Sequence, residues 1–235
     1  MLVLVAAMAY LYFFSAARTA PKPLSLATPA PSASPASATA ASPVSSPGPG
    51  TELLGPYTIG QGSLAGYRVK EQFGGQPSPH EAVSRTTSVT GGLTVAGASG
   101  QLQATGLKFT VQLADLASVD QVAGFNVTQR DRLVRSALGV SQFAVASFEA
   151  AAVQLPAAVG GGNPVTVTVP GQLTIHGVVK AVEVAAQVQV AGGKVTVTGS
   201  VPVKMSDYGI SPPQAPFVAP ESQATIEFQL VLSRS

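Results

Sequence analysis

The chain has 235 residues, 46% of them hydrophobic and only 10% charged, with a formal net charge of +2, which suits one folded domain with a sizeable core plus appendages. Its lysines and arginines are scattered and do not interleave with aromatics, which excludes a nucleic-acid-binding surface. Cysteine is absent and His80 and His176 are the only histidines, so disulfides, thiolate sites and a lipidated cysteine are excluded and a catalytic metal centre lacks ligands.

Residues 1–17 carry no charged side chain, and Arg18 is the first basic residue. This stretch sits at the short limit of the roughly 17 to 25 apolar residues that span a bilayer, and it lacks the basic start of a secretory signal. It reads as a transmembrane anchor or a cleaved signal. Tyr10, Tyr12, Phe13 and Phe14 gather toward one end as an interfacial belt does, which favours an uncleaved, single-pass anchor with the rest of the chain extracytoplasmic. Residues 18–51 are Pro, Ala, Ser and Thr almost throughout, and prolines such as Pro29, Pro31, Pro35 and Pro43 oppose both helix and ladder. This tract is expected to be a disordered linker, able in polyproline geometry to hold a domain up to roughly 90 Å from a membrane.

Residues 52–235 form the expected domain. Alternating apolar and polar residues predict strands at Tyr57–Ile59, Ser63–Lys70, Thr86–Val95 and Leu107–Leu113. The period breaks between Ala117 and Val145, where Thr128–Ser136 is expected as a short helix with Thr128 as N-cap and Asp131 in its first turn. Strands resume at Ser147–Val153, Val165–Val169, Gly171–His176, Val182–Val190, Lys194–Val203 and Ala224–Leu232. Ala191-Gly192-Gly193-Lys194 supplies the positive φ angles of a tight antiparallel hairpin. So many short-linked, valine-rich strands favour closure, since a barrel leaves no unpaired edge. The fold class is therefore all-β: a closed antiparallel barrel of about eight strands with one short helix, preceded by an N-terminal apolar helix and the linker.

Catalytic groups are not gathered anywhere. His176 stands in Leu173-Thr174-Ile175-His176-Gly177 without a nucleophile elbow and reads as a structural cap at a strand end. Asp115 and Asp120 fall at a strand end, where carboxylates accept backbone hydrogens. Arg130 and Asp131 read as anchors of the helix to the barrel rim, with Arg130 or Arg135 as the alternative contact for an anionic head group. Gly160-Gly161-Gly162 lacks the lysine and hydroxyl of a phosphate loop. No catalytic residue, metal or cofactor is expected.

Five elements together resemble the YceI-like family across Tyr57 to Leu232: Tyr57-Thr58-Ile59 followed by Ser63; Ala117-Ser118-Val119-Asp120 leading to Arg130-Asp131; Phe143 to Phe148; Gly171 to Lys180; and Asp207-Tyr208-Gly209-Ile210-Ser211-Pro212-Pro213. The apolar, proline-rich N-terminus is similar to the actinobacterial branch of that family. The resemblance implies a lipocalin-like antiparallel barrel around an apolar tunnel that takes an isoprenoid chain, a polyprenyl lipid or quinone, without catalysis. Gly60, Gly62, Glu71 and Leu133 depart from it, standing where many relatives have Asp or His. The expected ligand-lining residues are Tyr67, Val69, Phe109, Val111, Phe148, Ile175, Val184 and Phe228, large apolar members of the alternating faces. The expected partners are an isoprenoid or other long-chain lipid and the membrane, and a homodimer is compatible with the sequence. The rival reading is a structural or interaction module of the cell envelope with a solidly filled barrel.

Overall fold

A computed structural model describes residues 18–26, 53–74, 79–98, 101–122, 126–213 and 218–235. The expected anchor, residues 1–17, and linker residues 27–51 lie outside them. Among the described residues, no helix is long and apolar enough to cross a membrane.

The strands are β1 (Arg18–Thr19), β2 (Gly55–Ile59), β3 (Leu64–Phe73), β4 (His80–Thr86), β5 (Val89–Ala98), β6 (Gln101–Gln112), β7 (Ala117–Ser118), β8 (Gln121–Val122), β9 (Val145–Leu155), β10 (Val165–Ile175), β11 (Val178–Ala191), β12 (Lys194–Lys204) and β13 (Val218–Arg234). One helix, α1 (Val127–Ala137), lies between β8 and β9. The main sheet runs β12-β11-β10-β9-β6-β5-β2-β13 and closes where β13 also pairs with β12 over Val195↔Leu232 to Lys204↔Gln223. The result is a closed, eight-stranded antiparallel barrel.

Three short strands are continuations of three long ones past bends. β2 and β3 both lie against β13, at Ile59↔Leu232 and Leu64↔Gln229, so residues 60–63 form an outbulged bend in one long strand. Ser63 holds that bend: its hydroxyl donates to the Gly60 carbonyl at 2.8 Å and accepts the Val231 N–H at 2.9 Å. In the same way β4 continues into β5, and β7 pairs with β4 where β6 has paired with β5. Each long strand therefore neighbours the one before it in sequence, an up-and-down meander. The turn Gly192-Gly193 has both residues at positive φ, as a type I′ hairpin requires.

The sequence reading differs from this structure at four places. β4 falls between the expected strands Ser63–Lys70 and Thr86–Val95, where no strand is expected, although Glu71↔His80 to Ala65↔Thr86 pair it with β3 throughout. Val165–Ile175 is one strand rather than two; its Pro170 and Gly171 stay in register with Glu183 and Val182. The cap of α1 is Asn126, whose side-chain oxygen accepts the N–H groups of Thr128 at 3.0 Å and Gln129 at 3.3 Å, so Thr128 lies inside the helix and Asp131 beyond its first turn. The fourth is the start of the expected linker.

Residues 18–26 lie along the outer wall. β1 pairs antiparallel with β8, and the segment then crosses outward-facing residues of β3, β4 and β13. Arg68 donates to the Pro21 carbonyl at 2.6 Å and Arg85 to the Lys22 carbonyl at 2.9 Å, while the Leu24 N–H reaches Glu227 at 3.4 Å. Wall residues that would otherwise face water are covered: Val83 is 0% exposed, Glu227 2% and Arg68 5%. Glu227 accepts from Arg68 Nε at 2.6 Å and Arg85 Nε at 2.8 Å, and Arg68 also reaches Glu81 at 2.6 Å. Proline suits position 21 of this strap because Arg68 needs only a carbonyl acceptor there, which proline keeps.

Removing Glu227 leaves Arg85 without an ion-pair partner and the buried Arg68 with Glu81 alone. Glu227→Ala is expected to lower unfolding free energy by about 3 to 5 kcal/mol. Urea titration followed by circular dichroism measures it, and a loss under about 1 kcal/mol would mean the strap does not bury this pair.

Candidate functional site

The barrel encloses a cavity of about 180 Å³. Cores at normal protein density leave few voids larger than a water molecule, and a cavity of about 150 Å³ with apolar walls stays dry and admits benzene. The interior is therefore hollow rather than filled. Among the described residues that line it, only Tyr57 and Ser147 carry a polar side-chain atom.

The hollow follows from what points inward. Val167, Val169, Val184, Val188, Val195, Val197 and Val201 dominate β10, β11 and β12, and a β-branched valine is stiff and short, so it lines a wall without reaching the axis. Two larger rings enter where the facing residue has no side chain. A Cβ at Gly171 would run into the Phe148 ring, and one at Gly199 into the Phe228 ring.

Six of the residues expected to line the site, Phe109, Val111, Phe148, Ile175, Val184 and Phe228, surround this cavity. Tyr67 and Val69 do not; they line a second cavity of about 90 Å³ at the α1 end, between α1 and residues 205–213. Ile175 and Ile226 border both, so the two abut. The opposite end is stoppered by Leu53 and by Val159 on the 3₁₀ turn Ala157–Gly161, 7% and 2% exposed. Val159 was not expected as part of the wall, because the glycine-rich turn bearing it has no strand periodicity. Leu138, Met205, Ile210 and Pro213 at the α1 end are only half-buried, and that end is the mouth.

Polar groups are gathered beneath the helix. Arg130 donates to Glu71 at 3.2 Å, to the Ser118 hydroxyl at 2.7 Å and to Asp120. Asp120 also accepts the Val83 N–H at 3.0 Å and pairs with His80 Nε2 at 2.7 Å. Asp131 accepts from the Ser118 hydroxyl at 2.5 Å and its N–H at 3.2 Å. Among the described residues the only buried side-chain polar atom without a partner is Arg130 Nε, so this network's connections are spent on pinning α1 to β3, β4 and β7. Arg135 donates to the Leu116 carbonyl at 3.0 Å. Both arginines therefore hold protein. His176 caps the β10–β11 turn at a φ of 53°, with Nδ1 3.0 Å from the Tyr208 carbonyl and its ring edge-on to Phe143.

Burial raises the Glu71 carboxyl above its ordinary 4.5, and Arg130 opposes without cancelling the shift. Burial also pushes Asp120 upward, but hydrogen bonds from His80, Arg130 and the Val83 N–H outweigh it and hold that carboxyl below the ordinary 3.8. Tyr67 is pushed up to about 12 by burial and presents a neutral hydroxyl.

A carboxyl raised on folding gives its full contribution below its ordinary value and loses it as pH rises through the folded one. Glu71→Gln removes that loss, so the variant's Tm relative to the parent is expected to climb as pH rises from about 4.5 toward neutrality. Asp120, held below its ordinary 3.8, loses its contribution only at lower pH, outside this window. Parallel Tm curves for the two would contradict the assignment.

A family model for the YceI-like domain matches residues 72–232. No curated protein matches the chain. Among solved structures, a polyisoprenoid binding domain from Saccharophagus degradans, implicated in plant cell wall breakdown, superposes with a TM-score of 0.55 at 18% identity, covering 77% of this chain and 99% of its own. Burkholderia cenocepacia BcnA aligns over 70% of this chain and 95% of its own, with a TM-score of 0.47 at 21% identity. At 18% identity, the likeness to the Saccharophagus degradans domain speaks for the fold alone. The family match covers most of the chain and contains the helix, its anchors Arg130, Asp131, Asp120 and His80, and the greater part of the cavity wall: the protein belongs to the YceI-like family.

Proposed function

We propose that this protein binds or carries one isoprenoid or similar long-chain lipid, a polyprenyl lipid or quinone, inside the barrel and without catalysis. Residues 1–17 hold it to the cytoplasmic membrane with the barrel on the outer side. The observation that carries this reading is the hollow, almost wholly apolar interior. A polar substrate would meet no partner there, and each five-carbon prenyl unit contributes about 3 to 4 kcal/mol on burial, before ordering costs. Affinity then comes from the tail. The polyisoprenoid-binding description of the Saccharophagus degradans domain supports the same class of ligand.

Volume limits how much tail fits. A benzene ring in a cavity of about 150 Å³ amounts to roughly 25 Å³ per carbon. The two abutting cavities, 180 and 90 Å³, then take on the order of ten carbons, or two prenyl units. A longer chain requires the wall to part or leaves its remainder outside the mouth.

Lipid extraction and mass spectrometry of the purified protein are expected to yield a stoichiometric prenyl lipid; a consistently empty protein would overturn the reading. Ala104, buried on the cavity wall, supplies a second check. In a hollow barrel Ala104→Phe occupies free space, so it should fold with unchanged stability and lose roughly tenfold in lipid content. A filled barrel would instead be destabilised by about 1 to 3 kcal/mol on overpacking.

A further inference from the structure

The geometry points to direct apposition of the barrel's mouth to the bilayer surface, held by residues 18–26 and not set at a distance by the proline-rich tract. This inference rests on the reading of residues 1–17 as a membrane segment and deepens the proposed function by saying where the lipid enters. Its first support is where the apolar segment ends. Ala17 is followed immediately by Arg18–Thr19, which pair with Gln121–Val122. β8 directly follows Asp120, which is tied to His80 and Arg130 at the mouth. From there the strap runs away from the mouth, past Arg68 and Arg85, to Leu26 on the barrel wall. Residues 27–52 thus connect that wall to Leu53 at the stoppered end, and their length does not enter the separation between barrel and membrane.

The second support is independent of the strap. Single exposed apolar residues are ordinary on any protein surface, yet the large ones here are not scattered. Among the described residues they are Val119, Leu133, Val145 and Val179, and all four lie at the mouth end: beside β8, on α1, at the start of β9 and just after the β10–β11 turn. Among the described residues, the stoppered end has none. Exposed Lys70, Arg132, Lys180 and Lys204 share the mouth end with exposed Asp115, Asp207 and Glu221, so its charge is close to balanced and apolar contact carries the docking. The partner is therefore a lipid bilayer surface, zwitterionic lipid sufficing. A lipid tail would then pass between membrane and barrel without crossing water, and a chain too long for the cavity would keep its remainder in the bilayer.

The chain has no tryptophan, so a single introduced one reports its own position. Full-length Val179→Trp and Lys194→Trp, the latter in the exposed turn at the stoppered end, are reconstituted into phosphatidylcholine vesicles with brominated acyl chains. V179W is expected to lose most of its emission and K194W to keep it. A Gly/Ser insertion of about twenty residues within 27–50 should change neither. Unquenched V179W, equal quenching of both, failure to enter the vesicles, or loss of V179W quenching on lengthening the tract would each overturn the inference. Lipid content of the same preparations separates the two readings. A lipid-laden barrel with V179W unquenched removes apposition alone, and an empty barrel with V179W quenched removes carriage alone.

Discussion

A sheet whose inward face is nearly all valine, leucine, isoleucine and phenylalanine has to hide that face, and everything else in this molecule follows from how it does so. No second layer of strands or helices covers it among the described residues, so the sheet covers itself by closing β12 onto β13. Once closed, the strand number fixes the bore at a width that large side chains can fill and small ones cannot. Valine is the commonest residue of the wall, and the Phe148 and Phe228 rings sit over glycines. Closure and short side chains together leave the void.

Closure also dictates where polar groups can stand. Odd-numbered residues of β3 face inward, so Tyr67 and Val69 line the mouth cavity and Glu71 follows them at its rim. The even-numbered Arg68 faces outward. Each face carries its own buried ionic network: Glu71, His80, Asp120 and Arg130 inside, beneath the helix, and Arg68, Arg85 and Glu227 outside, beneath residues 18–26. Buried ion pairs contribute little net stability compared with apolar packing, but losing one partner is costly. Such networks fix position, and here they hold α1 over one end of the barrel and the strap along one side. The cavity itself keeps no charged group between the stopper at Val159 and the mouth.

Most strands were legible in the sequence because each has one wet face and one dry one, as Leu107 to Leu113 and Val165 to Val169 show directly. One pairing was legible too, the hairpin at Gly192-Gly193 that joins β11 to β12. β4 was hidden for a definite reason: both of its faces are covered, one by the mouth network and one by the strap, so His80, Ser84 and Arg85 occupy places where alternation would put a clear apolar and polar contrast. The sequence points to Thr128 as the helix cap and the structure to Asn126, because either side chain can accept the orphan N–H groups and only the backbone angles decide between them. The large apolar wall residues were recognisable as a class. Their division between two cavities was not, since it depends on how far each lies along the barrel from the helix.

The sequence by itself determined the all-β class, the alternation along each strand and the tight hairpin at Gly192-Gly193, because these depend on residue type and spacing within a few positions. Tertiary structure alone decided that the interior is hollow, that Val159 closes one end, and that residues 18–26 lie on the wall while α1 caps the other end. Those outcomes depend on curvature, on side-chain reach across a bore, and on charges brought together from positions 68, 85 and 227, and no local pattern records such distances.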